Sequence, residues 1–106
     1  MARALINVPP KAKKGEIMAI KTLISHEMET GYRIDNVGKN IPRDIIKEFV
    51  CTYNGQEVFR AELFQAIAAN PFFSFPVLAT ESGTIAFKWT GDNGFSQAEA
   101  REIVVE

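Results

Sequence analysis

Apolar and polar residues alternate along most of this chain, and Gly, Pro or Asn breaks the alternation at short intervals. A period of two predicts strands, not helices. Ala4–Asn7 reads as a short first strand. Pro9 and Pro10 end it, because neither has an N–H to give to a ladder. Lys11 to Gly15 reads as a basic turn. Glu16 to Ile24 is a strand with Met18, Ile20 and Ile24 on one face and Ile17, Ala19 and Leu23 on the other. Apolar residues on both faces mark it as buried. Ser25 to Arg43 is the longest stretch without a period and contains Gly31, Gly38 and Pro42. Loops of that length in small domains are usually functional or cover a surface.

The strongest local signal is Asn54-Gly55, set between the runs 45–53 and 56–63. A type I′ turn needs φ > 0 at both central residues, and Asn-Gly supplies it. With that turn, facing residues sum to 109. Val50 then faces Phe59 and Ile46 faces Leu63, on a face expected to point inward. Cys51 faces Val58, Phe49 faces Arg60 and Lys47 faces Glu62 on the other. That second face, with Phe49, Cys51, Tyr53 and Val58, is too apolar for water alone, so a loop or another chain is expected to cover it.

Phe64 to Asn70 reads as one helical turn or a crossover, stopped by Asn70-Pro71. Phe73–Thr80 and Thr84–Thr90 read as a second hairpin around Glu81-Ser82-Gly83. Phe75 then faces Trp89, Val77 faces Phe87 and Ala79 faces Ile85, forming the densest part of the core. Gly91 to Gly94 is a turn and Ala100 to Val105 the last strand. The fold expected is all-β: an immunoglobulin-like antiparallel β-sandwich of about seven strands, in one domain spanning residues 1–106.

Composition adds bounds. Hydrophobic residues make up 46% of the 106, enough for a core without staples. Net charge is −1, which gives a polyanion no reason to bind. The charge is uneven: residues 1–48 hold nine Lys/Arg against six Asp/Glu, and residues 49–106 hold three against seven. Such a split describes either solvated faces or steering toward a partner. One cysteine excludes an internal disulfide. Met1 to Gly15 lacks an apolar run of signal-peptide length, and no segment is long enough to span a membrane. Read alone, the chain is expected in the cytosol.

Candidate chemistry is sparse. Cys51 lies mid-strand, away from any helix N-terminus that would lower its pKa, and reads as buried or interface-covered. His26 is the single histidine, and its spacing to Cys51 does not define a dyad. A zinc or copper site wants three or four ligands, which one Cys and one His do not approach. Asp92-Asn93-Gly94 lacks the spaced oxygens of a calcium loop. Lys11, Lys13 and Lys14 have no interleaved aromatics, so nucleic acid is not expected. There is no phosphate-binding Gly loop and no Gly-x-Ser-x-Gly elbow. No cofactor or metal is expected. A binding subunit is favoured over an enzyme.

Several runs carry a family resemblance. They are Val8-Pro9 before the Lys-rich 11–15, Ile24-Ser25-His26-x-Met28-Glu29-x-Gly31, Ile41-Pro42-Arg43, the Asn54-Gly55 hairpin, Asn70-Pro71-Phe72, and Phe87-x-Trp89 before an acidic, Gly-containing turn. With these the chain resembles, nearly end to end, the SoxZ family, the smaller subunit of the SoxYZ sulfur-carrier complex of bacterial sulfur oxidation. The resemblance implies the same sandwich and no catalytic residue. It implies a heterodimer, or a larger assembly, with SoxY, whose arm cysteine carries sulfur intermediates from thiosulfate, and passing contacts with other Sox enzymes. A chain ending Ile-Val-Val-Glu, without a Gly-rich tail or terminal Cys, matches the non-carrier subunit. The family is periplasmic, and SoxZ is exported with SoxY, which bears the twin-arginine signal.

Taken with the faces above, the resemblance makes Phe49, Cys51, Tyr53 and Val58 candidates for the SoxY contact. His26, Met28, Tyr32, Arg33 and Arg43 of the long loop extend that contact or receive client enzymes. Two other functions compete: a thiol-dependent sulfurtransfer enzyme using Cys51, with His26, and a free-standing immunoglobulin-like binding module in adhesion or assembly. On this reading Phe49→Asp abolishes co-purification with SoxY and leaves the isolated fold intact, which a pull-down beside a thermal melt measures.

Overall fold

The computed structural model describes residues 3–106; Met1 and Ala2, part of the N-terminal stretch read for a signal, lie outside the described residues. The strands are β1 (Ala4–Asn7), β2 (Lys11–Ala12), β3 (Ile17–Ile24), β4 (Ile46–Tyr53), β5 (Gln56–Glu62), β6 (Phe72–Leu78), β7 (Gly83–Gly91) and β8 (Ser96–Val105). They form two sheets, one in the order β1-β3-β6 and one in the order β2-β8-β7-β4-β5. This is the expected immunoglobulin-like sandwich. One strand more than expected arises because Lys11–Ala12, read as part of a turn, pairs in parallel with Val104 and Val105.

The strand β3 behaves as its pattern predicts on one side only. Met18, Ile20, Thr22 and Ile24 point inward and are buried, while Ile17 and Ala19 are exposed. The Asn54-Gly55 turn also forms, with φ of 49° and 84°. Its register holds for two pairs, Tyr53↔Gln56 and Thr52↔Glu57, and then slips. A bulge at Val58 sets Cys51 opposite Phe59 and Phe49 opposite Ala61. A second irregularity falls between Ile46 and Glu48, which pair with Gly91 and Thr90 of β7. Lys47 is the extra residue there, and it reverses the inward parity of β4. Ile46 is buried, and so are Phe49, Cys51 and Tyr53 after it.

Two expectations are thereby corrected. Phe49, Cys51 and Tyr53 do not form a face awaiting a partner; they point into this chain's own core, and Val50 points out. The supposed hairpin of residues 73–90 is not a hairpin either. Strand β6 pairs with β3 in one sheet, and β7 pairs with β4 and β8 in the other. Phe75, Val77, Ala79, Ile85, Phe87 and Trp89 are all buried as expected, but the two strands face each other across the sandwich. The crossing is held by side chains of the first hairpin. The Tyr53 hydroxyl accepts from the N–H groups of Thr80 (3.3 Å) and Glu81 (3.0 Å) and donates to the Glu81 carbonyl. Asn54 Oδ1 accepts from Thr84 N–H at 2.9 Å. It packs so near Gly83 that a Cβ there would lie 1.8 Å from it. Residues 63–71 carry the chain from β5 to β6, so the crossover alternative was the right one for Phe64–Asn70.

The core is aromatic at its centre. The Phe49 ring of one sheet stacks on Phe73 of the other at 4.9 Å between centroids, with Trp89 at 5.1 Å, Phe59 and Phe75 at 6.0 Å and Phe87 at 6.4 Å. Phe59 stacks on Phe75 at 4.3 Å and closes the side where β5 and β6 are sheet edges. Phe87→Ala and Phe49→Ala are each expected to lower the unfolding free energy by about 3–5 kcal/mol, read from urea midpoints. Phe49→Asp is expected to abolish the cooperative transition of the isolated chain, against the outcome set by the surface reading.

Candidate partner interface

The long loop is anchored at its base and extended at its tip. His26 N–H donates to Asn70 Oδ1 (3.0 Å) and Asn70 N–H donates back to the His26 carbonyl (2.8 Å), tying the loop's start to the β5–β6 crossover. The His26 ring then folds over the chain. Its Nδ1 accepts from Met28 N–H at 3.0 Å, its edge meets Phe95 at 5.0 Å, and its Nε2 lies 3.9 Å from Asp44 Oδ1. Met28 adopts φ 54°, a costly conformation for a residue with a Cβ. Burial of its side chain offsets the strain, and its Sδ accepts from Ile46 N–H at 3.3 Å. Met28 is therefore a core plug and not a contact residue, and His26 is a structural bracket with its side chain largely covered.

The loop's far end is fixed by charge. Arg43 grips Asp92 through Nε (2.9 Å) and Nη2 (3.0 Å), and Asp92 also accepts from Ile45 N–H at 3.2 Å. Lys47 Nζ stands 3.9 Å away. The Arg43 hydrogen bond, with help from Ile45 N–H, holds the Asp92 carboxyl below the usual carboxylate range, against a desolvation that pulls the other way. Between the anchors Glu29 and Asp44 exchange two backbone hydrogen bonds of 2.8 Å. Arg33 pairs with Glu29 at 2.5 Å, which keeps the Glu29 carboxyl low and the Arg33 guanidinium high. Arg33 and Arg43 thus have internal partners. The basic first half and acidic second half meet in such pairs, at Arg43–Asp92, Lys47–Asp92 and Lys11–Glu106.

Beyond Thr30 the loop runs out as an irregular hairpin. Ile41 N–H bonds to the Arg33 carbonyl and Asp35 N–H to the Lys39 carbonyl, both at 2.8 Å. Its apolar side chains bury little: Tyr32 is 76% exposed, Ile34 61% and Val37 77%. Val58, the remaining expected contact residue, is exposed at the bulge on the β5 edge, among residues that do not touch the loop's anchors. Of the expected interface, the loop brings His26, Met28, Arg33 and Arg43 into one region, and only Tyr32 and Val58 present open apolar surface.

Cys51 is 0% exposed, and burial pushes its thiol up to about 12. The His26 ring is committed to Met28, Asp44 and Phe95, none of which leads to Cys51. Among the described residues no three of His, Cys, Asp and Glu gather in a way that could hold a metal ion, and no helix is long and apolar enough to cross a membrane.

The reading of residues missed the outer face of the three-stranded sheet. Leu5, Ile17, Phe72 and Leu78 are 55%, 69%, 56% and 52% exposed and share it. The signal was present in the second apolar face of β3, which was read as burial.

These features define a class: an immunoglobulin-like β-sandwich with a sealed thiol, an anchored loop and an open apolar sheet face. Within that class, the family described as Sulphur oxidation protein SoxZ matches residues 6–102, and the chain belongs to it. It is a component of sulfur oxidation. No curated protein sequence matches the chain. Among solved structures it is similar to the superoxide reductase (neelaredoxin) of Ignicoccus hospitalis, with TM-score 0.75 and 16% identity over 97% of this chain and 80% of that one. A putative superoxide reductase of Thermotoga maritima follows with TM-score 0.70, 20% identity and coverage of 97% and 85%. The sulfur carrier protein SoxY of Chlorobium limicola f thiosulfatophilum gives TM-score 0.66 and 12% identity over 97% and 78%. At these identities the likeness is one of fold.

A depressed Asp92 pKa adds stability that is present above the unfolded-state carboxyl value and fades as pH falls through the folded value. Asp92→Asn is accordingly expected to lower the thermal midpoint at pH 7. The gap from wild type should close as the pH is lowered below about 4, followed by calorimetry across that range.

Proposed function

We propose that the chain is a non-catalytic subunit of a sulfur-carrier complex. It binds SoxY and scaffolds it while sulfur intermediates of thiosulfate oxidation ride on SoxY's cysteine. The observation that carries the reading is the state of Cys51. The thiol is sealed from solvent and burial raises its pKa, so it is neither accessible nor ionised at neutral pH, and the thiolate is the form that attacks sulfur. A chain of this family with its one thiol sealed has no group of its own on which to carry sulfur. The exposed apolar side chains of the loop, Tyr32, Ile34 and Val37, support a role in contact. The reading includes export bound to SoxY and action in the periplasm, which the family resemblance implies. A sealed thiol suits that oxidising compartment.

Reconstituted thiosulfate turnover with SoxY and the remaining enzymes, followed by intact-mass measurement of each chain, tests the reading. Sulfur increments are expected on SoxY alone, and Cys51→Ala is expected to sustain full turnover. An increment on this chain, or lost turnover in a Cys51→Ala variant that still pairs with SoxY, overturns it.

A further inference from the structure

We propose that SoxY docks, sheet against sheet, on the outer face of the three-stranded sheet formed by β1, β3 and β6. The proposal rests on the reading above that SoxY is the partner, and it assigns the surface. Strand register arranges the face in rows. Leu5, Leu23 and Phe72 form one end row, and Ile17 with Leu78 forms the other. Ala19 stands beside Pro76 next to that second row, and Asn7, Lys21 and Ser74 lie between. Four of the large side chains are more than half exposed. A monomer rarely leaves such an apolar patch uncovered.

The outer face of the other sheet makes the contrast. Several of its charged residues pair within the chain: Arg60 bonds to Glu48 and Glu57, and Glu102 accepts from the Thr84 hydroxyl at 2.7 Å. Small residues, Ala86, Ala98 and Ala100, floor it. That face holds an apolar groove but no large apolar side chain more than half exposed, whereas the three-stranded face has four.

Charge selects the occupant. Lys21 is the one charged residue in the rows and sits in an inner row, with no carboxylate beside it on the face. A second copy of this chain packed on the same face would bury two lysines and no carboxylate in one desolvated layer, which is costly. A different chain of the same fold escapes that conflict by offering a carboxylate in place of the lysine. SoxY has such a fold, at TM-score 0.66 over 97% of this chain, so it offers a comparable flat sheet for aligned face-to-face packing.

The sheet face alone is smaller than a standard interface. Three strands of this length span about 25 by 15 Å in plan, short of the roughly 800 Å² that a standard interface takes from each partner. The row of Leu5, Leu23 and Phe72 lies at the end where β3 passes into the loop. The loop therefore leaves the body of the domain beside that row.

Ile17→Glu and Phe72→Glu, one at each end of the face, test the assignment together with Lys88→Glu on the other sheet as control. Each is measured in the full chain for SoxY affinity by calorimetry and for thermal midpoint. The two face variants are expected to bind at least about 30-fold more weakly with midpoints near wild type, and Lys88→Glu is expected to bind within about threefold. Wild-type binding to SoxY that both face variants retain overturns the surface and leaves the SoxY reading standing. A wild-type chain that does not bind SoxY overturns the reading itself. A homodimer split by Phe72→Glu, with SoxY affinity unchanged, assigns the face to a second copy and also overturns the proposal.

Discussion

Phe49 joins the two layers of this molecule. Its ring lies on the five-stranded sheet and stacks against Phe73 of the three-stranded one, with Phe59, Phe75, Phe87 and Trp89 around it. A sandwich without a disulfide depends on such packing to keep its sheets together. What aims Phe49 inward is one extra residue, Lys47, in the ladder between β4 and β7. The backbone approach there is tight: a Cβ on Gly91 would sit 2.3 Å from the Ile45 carbonyl oxygen. The same irregularity leaves Ile46 N–H for the Met28 sulfur and Ile45 N–H for Asp92. One bulge therefore turns the core aromatic inward and fixes the loop to the body.

How far the sequence could be read follows from what is local. Alternation gave β1 its bounds and β3 its two faces, and Asn54-Gly55 gave the first turn with its positive φ values. Bulges at Val58 and Lys47 carry no Gly or Pro to announce them. Each moves one residue, and each inverts every face assignment beyond it. That inversion made Phe49, Cys51 and Tyr53 look like a partner surface. The Glu81-Ser82-Gly83 run looked like a hairpin turn because its local chemistry is a turn's. That the chain changes sheets there is decided by Tyr53 and Asn54, almost thirty residues earlier. Pairing is non-local information, and alternation does not hold it.

The loop shows how one segment can be rigid and open at once. Ion pairs and His26 hold its base, with the basic half of the chain supplying Arg43 and the acidic half Asp92. The charge asymmetry of the sequence is in part a record of that clamp, and only its remainder is free to steer a partner. Past Thr30 the backbone is hydrogen-bonded across the hairpin while Tyr32, Ile34 and Val37 stay in water. Ordering a hairpin that buries little apolar surface of its own gains little for an isolated chain. On the proposed reading that gain comes from a partner surface covering the loop.

Chemistry also constrains a scaffold that works beside a sulfur carrier. Thiolates exchange with sulfur–sulfur bonds at rates set by thiolate fraction and access. On the proposed reading the neighbouring cysteine holds sulfur in such bonds, and an open thiol on the scaffold would draw that sulfur away from the enzymes meant to receive it. Cys51 stands between Val50 and Thr52 on β4, and parity alone decides whether it faces solvent or the core. The bulge at Lys47 turns it to the core, where burial suppresses both access and ionisation. The irregularity that packs Phe49 thus also removes the chain's one competing nucleophile. In this fold, stability and chemical silence have the same structural cause.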